Sequence, residues 1–292
     1  MPIPDLKGRT MLVTGGTNGI GLATATALAS AGARVGVVGR DPDRGRAAVE
    51  SITSAHGSEV RLFTADLSRQ DDVRRLAREV EEAFGDLTVL VNNAGGYWAH
   101  RHLTADGLEW TFAVNHLAPY LLTRLLVPRL VANAPARVVT VSSGAQAMGR
   151  IDLADLQFEH RYSGQRAYNA SKLANVLFTY ELARRLEGTG VTANTLHPGV
   201  VRTSFGKQDA GRWMAALTGV VAPFMKSPED GARTSVYLAS ASEVATATGA
   251  YYANAQPRRS SASSYDEGLA AELWRVSAEL VDLPDQLGIG SP

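Results

Sequence analysis

Tyr168 and Lys172 are the two residues whose types and spacing most directly suggest chemistry. They lie in the segment Tyr-Asn-Ala-Ser-Lys, which opens a helical stretch, and a separation of four residues places a phenol and an ammonium on one helix face. A free phenol has a pKa of about 10, and a nearby cation favours the phenolate. The pair could therefore move a proton to or from a substrate oxygen. Such a pair also arises by chance, so the neighbouring motifs must decide.

Three further polar side chains belong to the same predicted site. Ser142 and Ser143 end an apolar strand, at the edge where open α/β sheets bind ligands. A hydroxyl there can donate to a carbonyl oxygen that gains negative charge, although either serine could instead cap the segment that follows. Asn115 lies in a long apolar helix, where an amide is disfavoured unless it is hydrogen-bonded, so we predict that it is buried and functional.

A glycine-rich turn near the N-terminus predicts a phosphate site. An apolar strand runs into Thr-Gly-Gly-Thr-Asn-Gly-Ile-Gly (14–21), and a helical segment follows. Glycines allow a tight turn and the close approach of a pyrophosphate, and the helix N-terminus supplies N–H donors. The spacing Gly15-x-x-x-Gly19-x-Gly21 differs from the common G-x-G-x-x-G, so an ordinary strand-to-helix turn stays open as the alternative.

The end of the second strand indicates which cofactor the turn would serve. An acid at that position would accept the adenosine ribose hydroxyls of NAD, whereas this chain has Gly39 followed by Arg40. A guanidinium suits a 2′-phosphate, so we predict NADP(H), with NAD(H) possible. Asp41 and Asp43 could weaken that preference, and a solvated loop residue is the alternative reading of Arg40.

The elements that would position these residues alternate regularly along the chain. Seven short apolar runs (11–15, 34–39, 60–66, 87–95, 136–143, 190–199 and 247–252) are strand candidates, and the segment 71–84 has the apolar stripe of a helix that covers a sheet. Apolar strands that alternate with helices imply a parallel sheet buried on both faces. We therefore predict an α/β fold: a Rossmann-type, doubly wound parallel sheet of about seven strands flanked by helices.

The composition limits the classes of function. Of the 292 residues, 29 are Lys or Arg and 29 are Asp or Glu, so the net charge lacks the basic excess that nucleic-acid binding needs. The absence of cysteine excludes disulfides and thiolate chemistry. Neither a signal peptide nor a membrane span is apparent, which predicts a cytoplasmic protein with no membrane partner. We expect a single domain over 1–292, with 260–292 as a C-terminal appendage that ends in an amphipathic helix.

Taken together, the motifs resemble the short-chain dehydrogenase/reductase family over nearly the whole chain. They occur in the family's order and approximate spacing: TGGTNGIG (14–21), Asp66, NNAG (92–95), Asn115, Ser143, YNASK (168–172) and HPGVVRTS (197–204). Within the family, the long segment 144–167, the LHPG sequence and the C-terminal tail look like the branch of retinol dehydrogenases and WW-domain oxidoreductases.

The resemblance implies a role for each matching residue. Tyr168 would be the acid/base, Lys172 would lower its pKa and hold nicotinamide-ribose hydroxyls, and Ser143 would polarise the substrate oxygen. Asn115 would help to organise a proton-relay water. The cofactor would be bound by the turn (Gly15, Thr17, Asn18, Gly19, Ile20 and Gly21), by Arg40, by Asp66 and Leu67 at the adenine, by Asn93, Ala94 and Gly95 at the ribose, and by Val200 and Thr203 at the carboxamide, with Pro198 and Gly199 before them. The departures are His197, where many members carry Asn, and Gly39 in place of an acid.

The implied reaction is hydride transfer between nicotinamide and a carbonyl or alcohol carbon of a small molecule. The apolar segment 204–226 occupies the position of the family's substrate lid, which favours a bulky apolar substrate; packing on the chain's own domain or on a partner subunit is the alternative. Tyr97 and Trp98 could also line the pocket, or pack against the sheet edge.

Two alternative functions stay open, and the histidines have structural interpretations as well as functional ones. A same-fold epimerase or dehydratase, and a non-catalytic nucleotide-binding regulator, are the alternative functions, although the regulator predicts loss of a catalytic residue. His100 and His102 could suggest a metal pair, but no third ligand is apparent, so we predict no metal. We interpret His116 and His160 as structural or surface residues. The family analogy favours a homodimer or homotetramer, and a monomer stays open as the alternative in this branch.

Overall fold

The computed structural model describes residues 3–201 and 225–289. Within them, eight strands form one sheet in the order β3-β2-β1-β4-β5-β6-β7-β8, with β1 to β7 parallel and β8 antiparallel. The strands are β1 (Thr10–Thr14), β2 (Arg34–Gly39), β3 (Val60–Thr64), β4 (Leu87–Asn92), β5 (Ala136–Val141), β6 (Val191–His197), β7 (Tyr251–Ala253) and β8 (Gln256–Arg258). The predicted doubly wound α/β class is confirmed.

The eighth strand is the one that the sequence did not reveal. β8 has three exposed residues, Gln-Pro-Arg, and pairs with β7 through Tyr252 opposite Pro257. It has neither the apolar run nor the alternation by which strands are recognised, and proline is typical of an edge position. Tertiary position, rather than local sequence, defines this strand.

Helices cover both faces of the sheet. In chain order they are α1 (Gly19–Ser30), α2 (Pro42–His56), α3 (Gln70–Ala83), α4 (Trp110–Phe112), α5 (Ala118–Ala132), α6 (Gly164–Arg185), α7 (Pro228–Ser240) and α8 (Glu267–Leu280). One apolar core joins the sheet to α1, α2 and α7, and the other joins it to α3, α5, α6 and α8. The predicted helix over 71–84 is α3, and its apolar stripe Val73, Leu76 and Val80 is buried.

The strand order reverses at β1, which lies between β2 and β4. The connections that follow β1 and β4 therefore leave the sheet in opposite directions and open a crevice at its carboxyl edge, where doubly wound folds bind ligands. The glycine turn follows β1 and the Asn-Asn-Ala-Gly segment follows β4, so the topology brings these two motifs together.

A π turn interrupts the long apolar helix that was predicted around Asn115. Residues 113–117 form this turn between α4 and α5, and the Ala118 N–H donates to the carbonyl of Ala113. Single π turns inside α-helices occur frequently at functional sites. Asn115 and His116 are both fully buried within the turn.

The C-terminal helix α8 packs against α6 through Trp274. The Trp274 ring stacks on Phe178, with ring centroids 5.9 Å apart, and meets the edge of Tyr120 at 5.0 Å. The guanidinium carbons of Arg124 and Arg185 lie 4.8 and 4.5 Å from the centroid of the indole, within cation–π range. The last described segment is therefore joined to the core by aromatic and cationic contacts.

Candidate active site

The glycine turn has the tight backbone packing that a phosphate site needs. Gly15 has a φ of +65°, a conformation that favours glycine. A Cβ on Gly21 would lie 2.8 Å from the carbonyl carbon of Gly15 and closer still to its oxygen. The side chain of Asn18 caps α1 by accepting from the Gly19 N–H at 2.7 Å. Ile20, also in the turn, lies beside Gly231 of α7.

Thr14, which the sequence analysis did not select, fastens the turn to the segment after β4. Its Oγ1 accepts hydrogen bonds from the backbone N–H groups of Asn93 (3.0 Å) and Ala94 (3.1 Å). In return, Nδ2 of Asn93 donates to the Thr14 carbonyl at 2.9 Å. These bonds hold the predicted pyrophosphate and ribose segments in one unit. A cross-strand contact of this kind leaves no spacing signal in the sequence.

The predicted adenosine end of the site has an exposed cation. Arg40 is exposed at the end of β2. A Cβ on Gly39 would lie 2.5 Å from Cγ2 and 2.8 Å from Oγ1 of Thr17, so the Thr17 side chain fills the space that an acid would need. Asp41 is engaged elsewhere, because its Oδ1 accepts from the N–H groups of residues 43 and 44 as the N-cap of α2, at 3.0 and 3.1 Å. Those backbone hydrogen bonds lower the pKa of Asp41.

Asp66 and Leu67, the predicted adenine residues, follow β3 in a hydrogen-bonded turn. Oδ1 of Asp66 accepts from the backbone N–H of Ser68 at 3.0 Å and from its hydroxyl at 2.8 Å. The N–H of Asp66 donates to Oδ2 of Asp72 at 2.9 Å. Asp66 therefore shapes this turn through one carboxylate oxygen.

Tyr168 and Lys172 lie one turn apart on α6 and are both desolvated. Nζ of Lys172 is 5.7 Å from the centroid of the Tyr168 ring and donates to the Val141 carbonyl at 3.3 Å. Burial lowers the pKa of Lys172 to about 8. Burial also raises the pKa of Tyr168, against the opposing effect of a hydrogen bond with Ser143. The net shift in the pKa of Tyr168 is therefore upward, opposite to the lowering that a nearby cation would produce. Two groups displaced towards their neutral forms in a crevice are typical of a functional site.

The two serines at the end of β5 have separate roles. Ser143 contacts Tyr168 by a hydrogen bond and also caps the 3₁₀ segment Gly144–Met148, where its Oγ accepts from the Ala145 N–H at 3.2 Å. Ser142 is buried, and its Oγ donates to the backbone carbonyl of Lys172 at 2.7 Å. Only Ser143 therefore faces the predicted reacting groups, and it serves as both cap and site residue.

The Asn115 side chain hydrogen-bonds to the backbone of the segment after β4. Its Oδ1 accepts from the Gly96 N–H at 2.7 Å, and its Nδ2 donates to the Gly96 carbonyl at 2.9 Å. Nδ2 also donates at 3.0 Å to Oγ of Ser171, which donates to the Tyr168 carbonyl at 2.8 Å. A Cβ on Gly95 would lie 3.0 Å from Oδ1 of Asn115 and 3.3 Å from Nζ of Lys172. Ser171 is a second contact that spacing alone did not identify.

The segment after β6 forms the far side of the crevice. Gly199 has a φ of +89°, and its N–H donates to Nδ1 of His197 at 3.1 Å. Histidine thus supplies a hydrogen-bond acceptor for the turn through Pro198, and burial, followed by the charge of Lys226, lowers its pKa. Val200 is 66% exposed. Thr203 and residues 204–224 of the predicted lid lie outside the described residues.

Aromatic side chains border the crevice next to Tyr168. The rings of Tyr97 and Tyr168 meet edge to face, with centroids 6.0 Å apart. Tyr162, from the long segment after β5, donates from its hydroxyl to the Trp98 carbonyl at 3.2 Å and so fixes the same loop. Met148 is 67% exposed on that segment.

The remaining predictions concern metals and membranes. Within residues 3–201 and 225–289, no group of three or more His, Cys, Asp or Glu side chains has the geometry to hold a metal ion. In the same part of the chain, no helix is long and apolar enough to cross a membrane. His160 is largely exposed, whereas His116 is buried in the π turn.

A doubly wound sheet with a glycine turn at its reversal point and an adjacent Tyr-Lys pair defines a nicotinamide-dependent oxidoreductase fold. The model of the short chain dehydrogenase family matches residues 9–212. Retinol dehydrogenase 12 of Homo sapiens is 42% identical over 280 residues, which cover 96% of this chain and 88% of that protein. The chain belongs to the short-chain dehydrogenase family, in its retinol dehydrogenase-like branch, as the motifs predicted.

Two other relatives carry information about activity and cofactor. A protein from Streptomyces sp. (strain C5), whose name proposes a daunorubicin C-13 ketoreductase, is 41% identical over 281 residues, with 96% of this chain and 95% of that protein covered. A short chain dehydrogenase from Burkholderia cenocepacia J2315, solved in complex with NADP, has a TM-score of 0.68 and 31% identity, with 85% of this chain and 96% of that one covered.

Proposed function

We propose that the protein transfers hydride between NADP(H) and a carbonyl or alcohol carbon of a bulky, apolar small molecule. The observation that carries this proposal is the convergence of Tyr168, Ser143 and Lys172 on one crevice, with Asn115 bonded to both of its walls. A hydroxyl pair beside a buried amine is suited to exchange a proton with a substrate oxygen.

The residues present fit a dinucleotide. The packing of Gly21 against Gly15 leaves backbone N–H groups at the start of α1 for a pyrophosphate, and Gly95 leaves room beside Lys172 that a side chain would fill. Nζ of Lys172 has three hydrogens, of which the Val141 carbonyl takes one, so it can also bind ribose hydroxyls. When bound, the cofactor supplies or accepts the hydride.

Side chains of the protein then hydrogen-bond to the substrate oxygen and exchange a proton with it. Ser143 and Tyr168 donate hydrogen bonds to it and polarise the carbonyl in the direction of reduction. Tyr168 gives its proton to the oxygen as negative charge develops there, and it takes the proton back in the direction of oxidation. The ammonium of Lys172 stabilises the phenolate that remains.

Arg40 supports the choice of NADP(H) over NAD(H). Its exposed guanidinium at the end of β2 can pair with a 2′-phosphate, while Thr17 fills the position next to Gly39 that an acid would need. The NADP complex of the Burkholderia relative is in keeping with this proposal.

The apolar border of the crevice supports a bulky, apolar substrate. Tyr97 lies edge-on to Tyr168, and Val200, in the segment after β6, is more than half exposed, which gives a ligand apolar surface to cover. One relative is named for retinol and another for a ketoreductase. Both names agree with an alcohol or a ketone as the reacting group.

The test is a panel of carbonyls and alcohols followed at the NADPH absorbance band, with NADH in parallel. We expect turnover that consumes one NADPH per carbonyl reduced. Tyr168→Phe keeps the ring and removes the hydroxyl, so it should lower kcat by about 100-fold or more while NADPH still binds. Tyr168→Phe with most of the wild-type activity would refute the acid/base assignment. Turnover without net use of cofactor would favour the epimerase alternative.

We infer a single domain over 1–292, a cytoplasmic location, and a homodimer or homotetramer. Light scattering coupled to gel filtration measures the last of these, and a monomeric mass would contradict it.

A further inference from the structure

His116 is a polar side chain in an apolar part of the core. It is fully buried, and its ring lies 5.0 Å from that of Phe112, 6.1 Å from Tyr120 and 6.2 Å from Phe178, measured between centroids. Burial lowers the pKa of His116 to about 4, so the ring is neutral at pH 7. A polar group in such surroundings is costly unless it is hydrogen-bonded.

One hydrogen-bond partner of His116 comes from the C-terminal helix. Nε2 of His116 lies 2.9 Å from Oγ of Ser277, and both residues are fully buried. A neutral imidazole carries one N–H donor and one acceptor nitrogen, and a hydroxyl can complement either. The bond joins α8 to the π turn across 161 residues of chain. The Asn175 side chain on α6 also hydrogen-bonds to His116 and opposes the effect of burial on its pKa, but loss of the Ser277 hydroxyl would still remove the bond at Nε2 from a buried site.

The π turn links this hydrogen bond to the proposed active site, because it contains both His116 and Asn115. His116 directly follows Asn115, whose side chain holds both backbone polar groups of Gly96 and the hydroxyl of Ser171. Ser171 in turn bonds the backbone of Tyr168. A π turn is rare, and in this one the side chains of Asn115 and His116 bond to the segment after β4 and to α8.

We infer that His116 and Ser277 are positioning residues for Asn115: their hydrogen bond fixes the π turn so that Asn115 lies between Gly96 and Ser171. This inference rests on the proposed function for its kinetic consequence, since Asn115 acts there. The C-terminal helix thereby takes part in arranging a crevice at which none of its own side chains acts.

The test replaces the distant partner and leaves the crevice untouched. Ser277→Ala removes the hydroxyl, and Val276→Ala is the matched control, since Val276 is a partly buried neighbour on α8 that lies on another side of the helix. For Ser277→Ala we expect kcat for carbonyl reduction to fall about tenfold, because a small displacement of a positioned group is costly to the reaction. The Kd for NADPH and the KM for the carbonyl should stay within about twofold of wild type, since the hydrogen bond that is removed goes to His116, which is not one of the proposed binding residues.

A double-mutant cycle shows whether the effect passes through Asn115. If it does, Ser277→Ala has no further effect on kcat in the Asn115→Ala background, whereas independent losses multiply. Losses in kcat that multiply, or a kcat for Ser277→Ala equal to that of wild type, would overturn the inference. An equal fall in kcat for Val276→Ala would also overturn it, since the effect would then be general loosening of α8.

Hydrogen exchange at the Gly96 amide provides a readout that does not depend on activity. This amide donates to Oδ1 of Asn115 at 2.7 Å, so Ser277→Ala should speed its exchange by about tenfold, while Val276→Ala leaves it unchanged. Unchanged exchange in Ser277→Ala refutes the positioning role even if no substrate is found. Faster Gly96 exchange in a chain without any reductase activity would instead uphold the positioning role and refute the proposed function.

Discussion

Gly21→Ala probes the glycine turn with a single methyl group. The added Cβ would lie 2.8 Å from the carbonyl carbon of Gly15 and even closer to the oxygen, which belongs to the backbone and cannot rotate away as a side chain would. It would also press on Nδ2 of Asn93, which joins the turn to the segment after β4. The turn must therefore shift as a unit.

The expected cost follows from overpacking. Inserting a methyl group into a closely packed site costs about 1–3 kcal/mol. If the shift moves the N–H groups that would hold the pyrophosphate, that cost corresponds to a rise of about 5-fold to 150-fold in the Kd for NADPH. If the overpacking cost instead lowers the free energy of unfolding, Tm falls by about 2–4 °C for each kcal/mol.

The assay measures both quantities on the same variant. NADPH binding is followed by fluorescence titration and stability by thermal unfolding, with Gly85→Ala as the control, because a Cβ at Gly85 meets no atom within 4 Å among the described residues. Gly85→Ala should resemble wild type in both measurements. A Gly21→Ala variant with wild-type Kd and wild-type Tm would show that the turn accommodates a side chain and would refute the reasoning.

Three other perturbations have defined outcomes. Burial lowers the pKa of Lys172 from 10.5 to about 8, so between these pH values the unfolded chain binds more protons and wild-type stability rises with pH. Lys172→Met should abolish activity and remove this rise, and at pH 7, where Lys172 is protonated in both states, it should increase the free energy of unfolding by about 3 kcal/mol. A less stable variant in urea unfolding at pH 7 would contradict this expectation. Arg40→Ala should raise the Kd for NADPH by about 10-fold to 100-fold and change that for NADH little, as fluorescence titration would show; equal effects on both cofactors would exclude a 2′-phosphate contact. Trp274→Ala should destabilise the chain by about 3–5 kcal/mol in urea unfolding, and a loss below about 1 kcal/mol would mean that α8 contributes little to the core.

The sequence predicted the fold because the fold depends on repeated, local signals. The strands β1 to β6 appear as apolar runs, and the α3 stripe of Val73, Leu76 and Val80 appears at helical spacing. β8 escaped prediction because its three residues have no such pattern, and only its pairing with β7 makes it a strand.

The candidate site also contains residues that the sequence predicted and residues that it did not. Tyr168, Lys172 and Ser143 were selected by spacing and by position at strand ends, and the structure places them together. Thr14 and Ser171 were not selected, because their hydrogen bonds join segments far apart in the chain or act through backbone groups. The raised pKa of Tyr168 was also not foreseen, since burial is a property of the assembled crevice rather than of the Tyr-x-x-x-Lys spacing.

The short strand β8 limits how the edge of the sheet can pair with a strand of another molecule. Pro257 lacks an N–H, and among the described residues only three run along that border, so a foreign strand would find few main-chain partners there. Natural sheets use short, proline-containing borders of this kind to avoid aggregation. Any assembly of several copies that joined at this border would therefore rely on side chains, and continuous main-chain pairing from one subunit into the next is disfavoured.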